Sequence, residues 1–229
     1  EAHGGTDIGG HEVNTCSSAS ANDQREEGKR VNDGTRTLET PVRISQIMLE
    51  PALKEMLEAS PHVTLRFGYG FERFEADDRG VTSTIVNVKT GETETIRSDY
   101  LVGCDGGGST VRRQLGIDME GTYQLRRRYM VHFKSADRDR VAPHGIVWHL
   151  QWPTGVLIAQ DDKDTWTLHG PVDETMSAED LDPRARIREE FGADFESFDI
   201  EVANPFWYHM VIADGYGGGR VWLAGDSVH

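Results

Sequence analysis

Residues Ser98 to Gly116 read SDYLVGCDGGGSTVRRQLG. An apolar run, Tyr100-Leu101-Val102, leads to Cys104, Asp105 and three consecutive glycines, Gly106 to Gly108. Ser109 and Thr110 follow, and a helical segment carries Arg112 and Arg113. The pattern predicts a strand, a turn without side chains, and a helix opened by a capping hydroxyl. Glycines let such a turn reach positive φ without strain and bring its backbone close to a bulky ligand. The bare amides of the helix start favour an anion.

A second stretch has the same form. Arg220-Val221-Trp222-Leu223-Ala224 predicts a buried strand that ends in Gly225-Asp226, followed by Ser227-Val228-His229. Ligands of open α/β sheets sit at the carboxyl ends of the strands. A carboxylate there can accept two hydrogen bonds from a ribose or ribityl chain, and a glycine before it keeps the backbone close. For either stretch alone, a strand end capping a turn is the alternative. The two Asp/Gly pairs lie about 120 residues apart, and a helix bearing Arg43 and Gln46 precedes both. Together they make a joint signal.

Working outward, residues 1 to 40 are polar, with Gly4, Gly5, Gly9, Gly10 and the run Ser17 to Ser20, and lack apolar periodicity. They read as a flexible surface segment. His3 and His11 are too isolated there to form a metal site. Pro41 opens PVRISQIMLEPALKEMLEAS, where Ile44, Ile47, Met48, Ala52, Met56 and Leu57 recur at helical spacing. Pro51 predicts a kink or a short break. Arg43 and Gln46, three apart, share a face near the start of that helix, with a solvated polar face as the alternative. A β meander follows, with runs at His62–Phe67, Phe71–Glu75, Val81–Val88 and Thr93–Arg97.

Beyond Gly116 the chain reads as mostly sheet. Strands are expected at Tyr123–Lys134, His144–Ala159, Asp164–Leu168, Asp199–Ala203 and Phe206–Ala213, and a helix at Ala178–Phe191 with Asp182-Pro183 at its start.

Composition bounds the function classes. The 229 residues carry 24 basic and 39 acidic side chains, a net charge of −15, so a nucleic-acid partner is not expected. Cys16 and Cys104 are 88 residues apart with no CxxC spacing, which fits a reducing cytoplasm better than a disulfide scaffold. No apolar run approaches the ~20 residues needed to cross a bilayer, and with no basic-then-apolar stretch at the start of the given sequence, secretion is not expected. The chain does not begin with Met and stops just past Asp226, so a piece of a longer protein is expected.

The sequence resembles the flavoprotein aromatic hydroxylases of the para-hydroxybenzoate hydroxylase type. Cys104-Asp105-Gly106-Gly107-Gly108-Ser109-Thr110-Val111-Arg112 looks like their Asp-Gly motif, whose Asp serves flavin and pyridine nucleotide. Arg220 to His229 looks like their Gly-Asp motif, whose Asp holds the FAD ribose. Arg43-x-x-Gln46-x-x-Leu49-Glu50 is similar to their helix whose Arg and Gln contact FAD. Order and spacing agree over about 190 residues, from Pro41 to His229, and the phenol and polyketide hydroxylases are the subgroup most resembled.

The resemblance implies an α/β fold: an incomplete Rossmann-like FAD-binding domain, residues 1 to 118 and 214 to 229, interrupted by a β-rich substrate domain, residues 119 to 213. It implies FAD as cofactor, NAD(P)H and O2 as co-substrates, and hydroxylation of a small phenolic substrate through a flavin C4a-hydroperoxide. Arg43, Gln46, Asp105, Gly106, Gly225 and Asp226 are the implied cofactor residues; Arg112 braces the loop or meets the nucleotide. No catalytic side chain and no metal ligand set is implied. A homodimer stands as one open assembly. The rivals are another flavoenzyme sharing both Asp motifs, such as a halogenase or a polyprenoid reductase, and a non-catalytic fragment or binding module.

Two departures bear on this. No GxGxxG for the FAD pyrophosphate exists, since Gly215-Tyr216-Gly217-Gly218-Gly219 lacks the spacing. The helix that follows the Gly-Asp motif in the family is missing too. Among other candidates, His144 and His149 offer no completed ligand set. Arg126 to Arg128 read as a solvated basic strand edge, with steering of an anionic nicotinamide cofactor as the alternative. Trp148, Trp152, Trp207 and Tyr208 read as sheet packing first and an aromatic cleft second. Cys104 reads as a buried small side chain.

Overall fold

A computed structural model describes residues 2–5, 12–16, 19–31, 33–35, 39–40 and 43–229. In chain order its elements are β1 (Ala2–Gly5), β2 (Glu12–Cys16), α1 (Ala21–Arg30), α2 (Gln46–Glu58), β3 (Tyr69–Asp77), β4 (Gly80–Asn87), β5 (Thr93–Ser98) and β6 (Leu101–Gly103). Then come α3 (Thr110–Leu115), β7 (Met119–Lys134), α4 (Arg138–Val141), β8 (His149–Trp152), β9 (Gly155–Ala159), β10 (Thr165–Pro171), α5 (Pro183–Phe191) and β11 (Asp199–Ala213). The chain closes with β12 (Gly217–Gly218), β13 (Val221–Leu223) and a 3-10 turn at Gly225–Ser227. Helices, antiparallel ribbons and two parallel pairs, β1–β8 and β6–β13, make it α/β. By contacts it divides into two units, residues 1–56 with 126–207, and residues 57–125 with 208–229. The boundaries thus fall inside β7 and β11, and the first 56 residues pack with the middle of the chain, where the sequence reading joined residues 1 to 118.

The first unit is built on a seven-stranded sheet in the order β11-β7-β10-β9-β8-β1-β2. Period-two alternation sorts its faces. Tyr129, Val131 and Phe133 of β7 are buried, and the antiparallel register sets Trp166 opposite Phe133 and Leu168 opposite Val131. Ile187 and Phe191, four apart on α5, join Phe195 and Phe198 in covering this face. Buried indole groups find partners: Trp166 Nε1 donates to the Ser135 carbonyl at 3.0 Å, and Trp152 Nε1 to Glu190 at 2.7 Å. The other face carries the alternate residues, His149, Ile158, Thr167 and His132, which the registers align in one row across four strands.

The second unit holds two small sheets, the antiparallel meander β3-β4-β5 and the set β12-β13-β6. Val81, Val111, Ala213, Val221, Leu223 and Val228 form its core. The β3–β4 register slips between Phe71 and Arg73. Gln114 of α3 meets the backbone groups at this bulge: its Nε2 donates to the Glu72 carbonyl at 2.8 Å, and its Oε1 accepts from the Phe74 amide at 3.1 Å.

Several expectations are corrected. The segment read as irregular contains α1 and the β1–β2 pair. Helix α1 has no buried residue. It rests on ends: Ser20 accepts from the Asp23 amide, Asp23 sits in the first turn, and Lys29 and Arg30 close the last. Apolar periodicity cannot reveal such a helix. Helix α2 starts at Gln46, with the Ser45 carbonyl accepting from the Met48 and Leu49 amides, so Arg43 lies before the helix and not on it. Its apolar stripe is exposed, and Pro51 sits within it. Pro41 and His11 lie outside the described residues.

The run 62–67 is turn and loop, and Phe67 is exposed. His144–Ala159 resolves into the hairpin β8–β9, whose first strand begins only at His149. The strands expected on either side of Pro205 are one strand, β11. Proline is tolerated there because β11 is an edge strand, where a missing N–H has no ladder partner to lose. Strand β7, which bears Arg126 to Arg128, is interior instead of an edge. Arg127 there donates to the Asp173, Glu174 and Met176 carbonyls.

Candidate functional site

Strands β6 and β13 lie side by side and parallel, with Leu101 opposite Val221, Val102 opposite Trp222 and Gly103 opposite Leu223. The Ala224 amide continues the ladder to the Gly103 carbonyl at 3.0 Å. Both segments therefore leave the sheet together at their carboxyl ends, one into Cys104-Asp105-Gly106 and the other into Gly225-Asp226. Gly106 (φ +78°) and Gly225 (φ +64°) turn the two segments in left-handed conformations that side chains disfavour. Fully buried Ser227 shares its hydroxyl proton between the carbonyls of Gly103, 2.9 Å away, and Ala224, 2.8 Å away. Buried Arg112 spans the two turns: Nη1 donates to the Ser227 carbonyl at 2.7 Å and Nη2 to the Gly107 carbonyl at 2.8 Å. The structure thus brings Asp105, Gly106, Arg112, Gly225 and Asp226 to one ledge.

The two aspartates are in different states. Asp105 accepts from the Ser109 hydroxyl at 2.5 Å, the Thr110 amide at 2.7 Å and the Val111 amide at 3.1 Å. With Ser109, which accepts from the Arg112 amide at 2.9 Å, it caps α3. Burial opposes its charge, but the bonds from Ser109, Val111 and Thr110 outweigh burial and hold its carboxyl below the usual carboxylate range. Asp226 is exposed, and among the described residues its carboxylate has no hydrogen-bond or ion-pair partner. A free acceptor therefore stands beside an occupied one, on a surface paved by Gly106, Gly107 and Gly108.

Arg43 and Gln46 belong to the other unit. They line a cavity of about 560 Å³ with Ile44, Ile146, Trp148 and Ile158. The Arg43 guanidinium lies over the Trp148 indole, and the His149 ring packs against that indole at 4.1 Å. Burial, and then the Arg43 charge, push the His149 pKa down, so this ring is neutral near pH 7. Its lining is mixed: Ile44, Ile146, Trp148 and Ile158 are apolar or aromatic, and Ser45, Gln160, Asp161 and Asp162 add polar and acidic groups beside Arg43 and Gln46. Trp148 thus takes the cleft role and Trp152 the packing role.

Other expectations end differently. Cys104 is exposed, because it follows the last residue of β6 and lies on the ledge outside the core. Among the described residues no group of three metal-ligating side chains gathers. Sequence reasoning read the Ser109 cap but missed Ser227 and Gly103 as parts that hold the ledge. Their signal was present in the small residues at fixed places around each Asp, but small residues at strand ends are common. It missed Gln160 and Ser45 altogether, since a contact across 115 residues leaves no local pattern.

Comparisons with known proteins agree with this geometry. The model of the family described as "FAD binding domain" matches residues 7–229. The chain is 35% identical over 238 residues to "FAD-dependent monooxygenase opdD" of Penicillium oxalicum, covering 96% of this chain and 45% of that protein. It is 34% identical over 205 residues to "Tetracenomycin A2 monooxygenase-dioxygenase" of Streptomyces glaucescens, covering 82% of this chain and 36% of that protein. Among solved structures, that of aklavinone-11 hydroxylase with FAD and aklavinone superposes with a TM-score of 0.79 at 26% identity, over 99% of this chain and 43% of the other. The chain therefore spans less than half the length of these relatives. Two strand-end aspartates on adjacent parallel strands, and a family match running through both, place the chain in the FAD binding domain family.

Proposed function

We propose that this chain serves an FAD-dependent monooxygenase that hydroxylates an aromatic, polyketide-type substrate, with NAD(P)H as reductant, O2 as oxygen donor and the cytoplasm as its place. The single observation that supports this most is Asp226: an exposed, unpartnered carboxylate at the carboxyl end of a parallel strand, beside a bare glycine turn. That acceptor suits the hydroxyl-rich sugar and ribityl chain of a flavin dinucleotide. When bound, FAD supplies the hydride acceptance and oxygen activation that no side chain here can provide.

On this reading Asp226 accepts hydrogen bonds from the cofactor's hydroxyls, and Gly225 and Gly106 let the backbone approach it. Asp105, three of its acceptor sites committed to Ser109, Thr110 and Val111, keeps one on Oδ1 for a ligand and holds the glycine turn in shape. Arg112 acts as a brace between the two turns. Arg43 and Gln46 would serve the flavin from a segment that packs with the sheet. The functional division, residues 1 to 118 and 214 to 229 against 119 to 213, therefore cuts differently from the division by contacts. The apolar walls at Ile146, Trp148 and Ile158 suit a planar aromatic substrate, and Arg43, lying over the Trp148 indole, adds one cationic group beside them.

The test uses the intact gene product. It should take up FAD, seen as quenched flavin fluorescence, and should oxidise NAD(P)H faster when 1-hydroxyanthraquinone is added. A protein that takes up no FAD under any of these conditions would sink the reading.

A further inference from the structure

A line of side chains runs across the second face of the large sheet, from the cavity to solvent. Ser45 Oγ donates to Gln160 Oε1 at 2.5 Å. Gln160 Nε2 lies 2.9 Å from Thr167 Oγ1, and Thr167 Oγ1 lies 2.8 Å from His132 Nδ1. His132 Nε2 faces Glu201 at 3.5 Å, and Glu201 is held by Lys134 at 2.8 Å. Thr167 is buried, and the His132 side chain is 14% exposed. Ser45 and Gln160 line the cavity; Glu201 and Lys134 are open to water.

With the Gln160 amide nitrogen towards Thr167 and His132 Nε2–H towards Glu201, proton counting gives every bond in this line a consistent direction. An amide nitrogen can only donate, so Thr167 Oγ1 accepts from Gln160. The one hydroxyl proton of Thr167 then goes to His132 Nδ1, which must be bare. The His132 proton sits on Nε2, towards Glu201. Every group is satisfied, and Gln160 turns its carbonyl oxygen to the cavity side.

A second proton on His132 breaks this order. Nδ1–H would donate to Thr167 Oγ1, which would then receive two donors while its own proton had no acceptor. In a buried site such a conflict costs on the order of a full hydrogen bond. Rotation of the Gln160 amide by half a turn removes it: Oε1 accepts from Thr167, and Nε2 meets Ser45 Oγ. The cavity edge at Gln160 then offers a donor in place of an acceptor.

We propose that His132 is a positioning residue that acts through Thr167 on Gln160. Its protonation state decides whether the cavity presents an acceptor, suited to a substrate hydroxyl, or a donor, suited to a carbonyl or phenolate oxygen. The functional consequence rests on the aromatic-ligand reading of the cavity; the coupling itself does not. The charged groups facing His132 are Lys134 on its own strand and Glu201 on β11. β10 presents Thr167 opposite His132 and the titratable His169 two residues along the same face, while Asp161 and Asp164 of the β9–β10 turn bear on Lys134.

The test needs no ligand. In the full chain, the Gln160 side-chain amide resonances and the His132 imidazole resonances are followed together by NMR as pH is lowered. The expected result is that Gln160 shifts along the His132 titration curve with the same midpoint. In Thr167→Val, Gln160 no longer follows the His132 resonances; in Thr167→Ser the coupling returns. In His132→Gln, which alters a side chain at the rim and leaves the core intact, Gln160 is flat with pH. Gln160 resonances that ignore His132 in the unsubstituted chain, or that follow it undiminished in Thr167→Val, would overturn the proposal. Failure of an aromatic ligand to bind would count against the cavity reading and leave this result standing.

Discussion

The two aspartates of the ledge come from near-identical local patterns, yet their surroundings give them different work. Asp226 touches nothing that its loss would leave unsatisfied. Asp226→Ala should leave urea unfolding within about 0.5 kcal/mol of the parent, as for other surface changes. FAD affinity in the intact gene product should fall at least about tenfold, the loss of about 1.4 kcal/mol; fluorescence titration reads it. Arg112 is the opposite case. Its replacement by Met strands two carbonyls that now accept from a buried cation, so about 3 kcal/mol of stability should be lost, measured by urea denaturation. Asp105 supplies a pH signature. Its folded pKa lies below the unfolded value, so its contribution is present above the unfolded carboxylate range and is lost as pH falls through the folded value. Acid titration should loosen the start of α3, seen as faster amide exchange at Thr110 and Val111. Asp105→Asn should remove that pH dependence.

At the scale of elements, the ledge depends on how closely α3 sits on β6. A Cβ built on Gly103 would meet the Val111 side chain at 2.7 Å and Leu223 Cδ2 at 3.0 Å. Those neighbours are core atoms with no room to retreat. Gly103→Ala should therefore cost about 1–3 kcal/mol through overpacking and lower the thermal midpoint. The same close approach explains why the strand ends in glycine before the functional turn begins. Helices α1 and α3 show a further lesson: both are secured by serine caps, Ser20 and Ser109, at their starts. The Ser109 cap was legible because it follows a strand and a glycine turn. The Ser20 cap was hidden in a polar segment with no apolar stripe to announce a helix.

For the whole molecule, the excess of negative charge is the property that reaches everywhere. At −15 the compact state repels itself, and exposed charges are screened within ~8 Å at 0.15 M salt. Raising sodium chloride from about 0.01 M to about 0.15 M should thus raise the thermal midpoint by a few degrees, followed by circular dichroism. No change would mean that the charges are already compensated locally, as in the Arg140–Asp194 and Arg188–Glu196 pairs. Each contact unit also has its own core, so Phe133→Ala should lose protection first at amides of β7 and β10, with β4 and β13 retaining theirs.

The sequence by itself determined the parts that local chemistry controls. Strand, glycine turn and capped helix at Leu101–Leu115, Asp182-Pro183 opening α5, and the two strand-end Asp/Gly pairs all follow from short-range propensity and spacing. Tertiary structure decided what those patterns leave open. It set β6 beside β13 in parallel, so that two motifs about 120 residues apart share one ledge. It made one aspartate a cap and left the other free, because which lone pairs are filled depends on neighbours from other segments. It carried β11 through Pro205 by placing the strand at the sheet's edge. It also joined Ser45, Gln160, Thr167 and His132 into one line, since hydrogen bonds between remote segments depend on register and have no trace in local order.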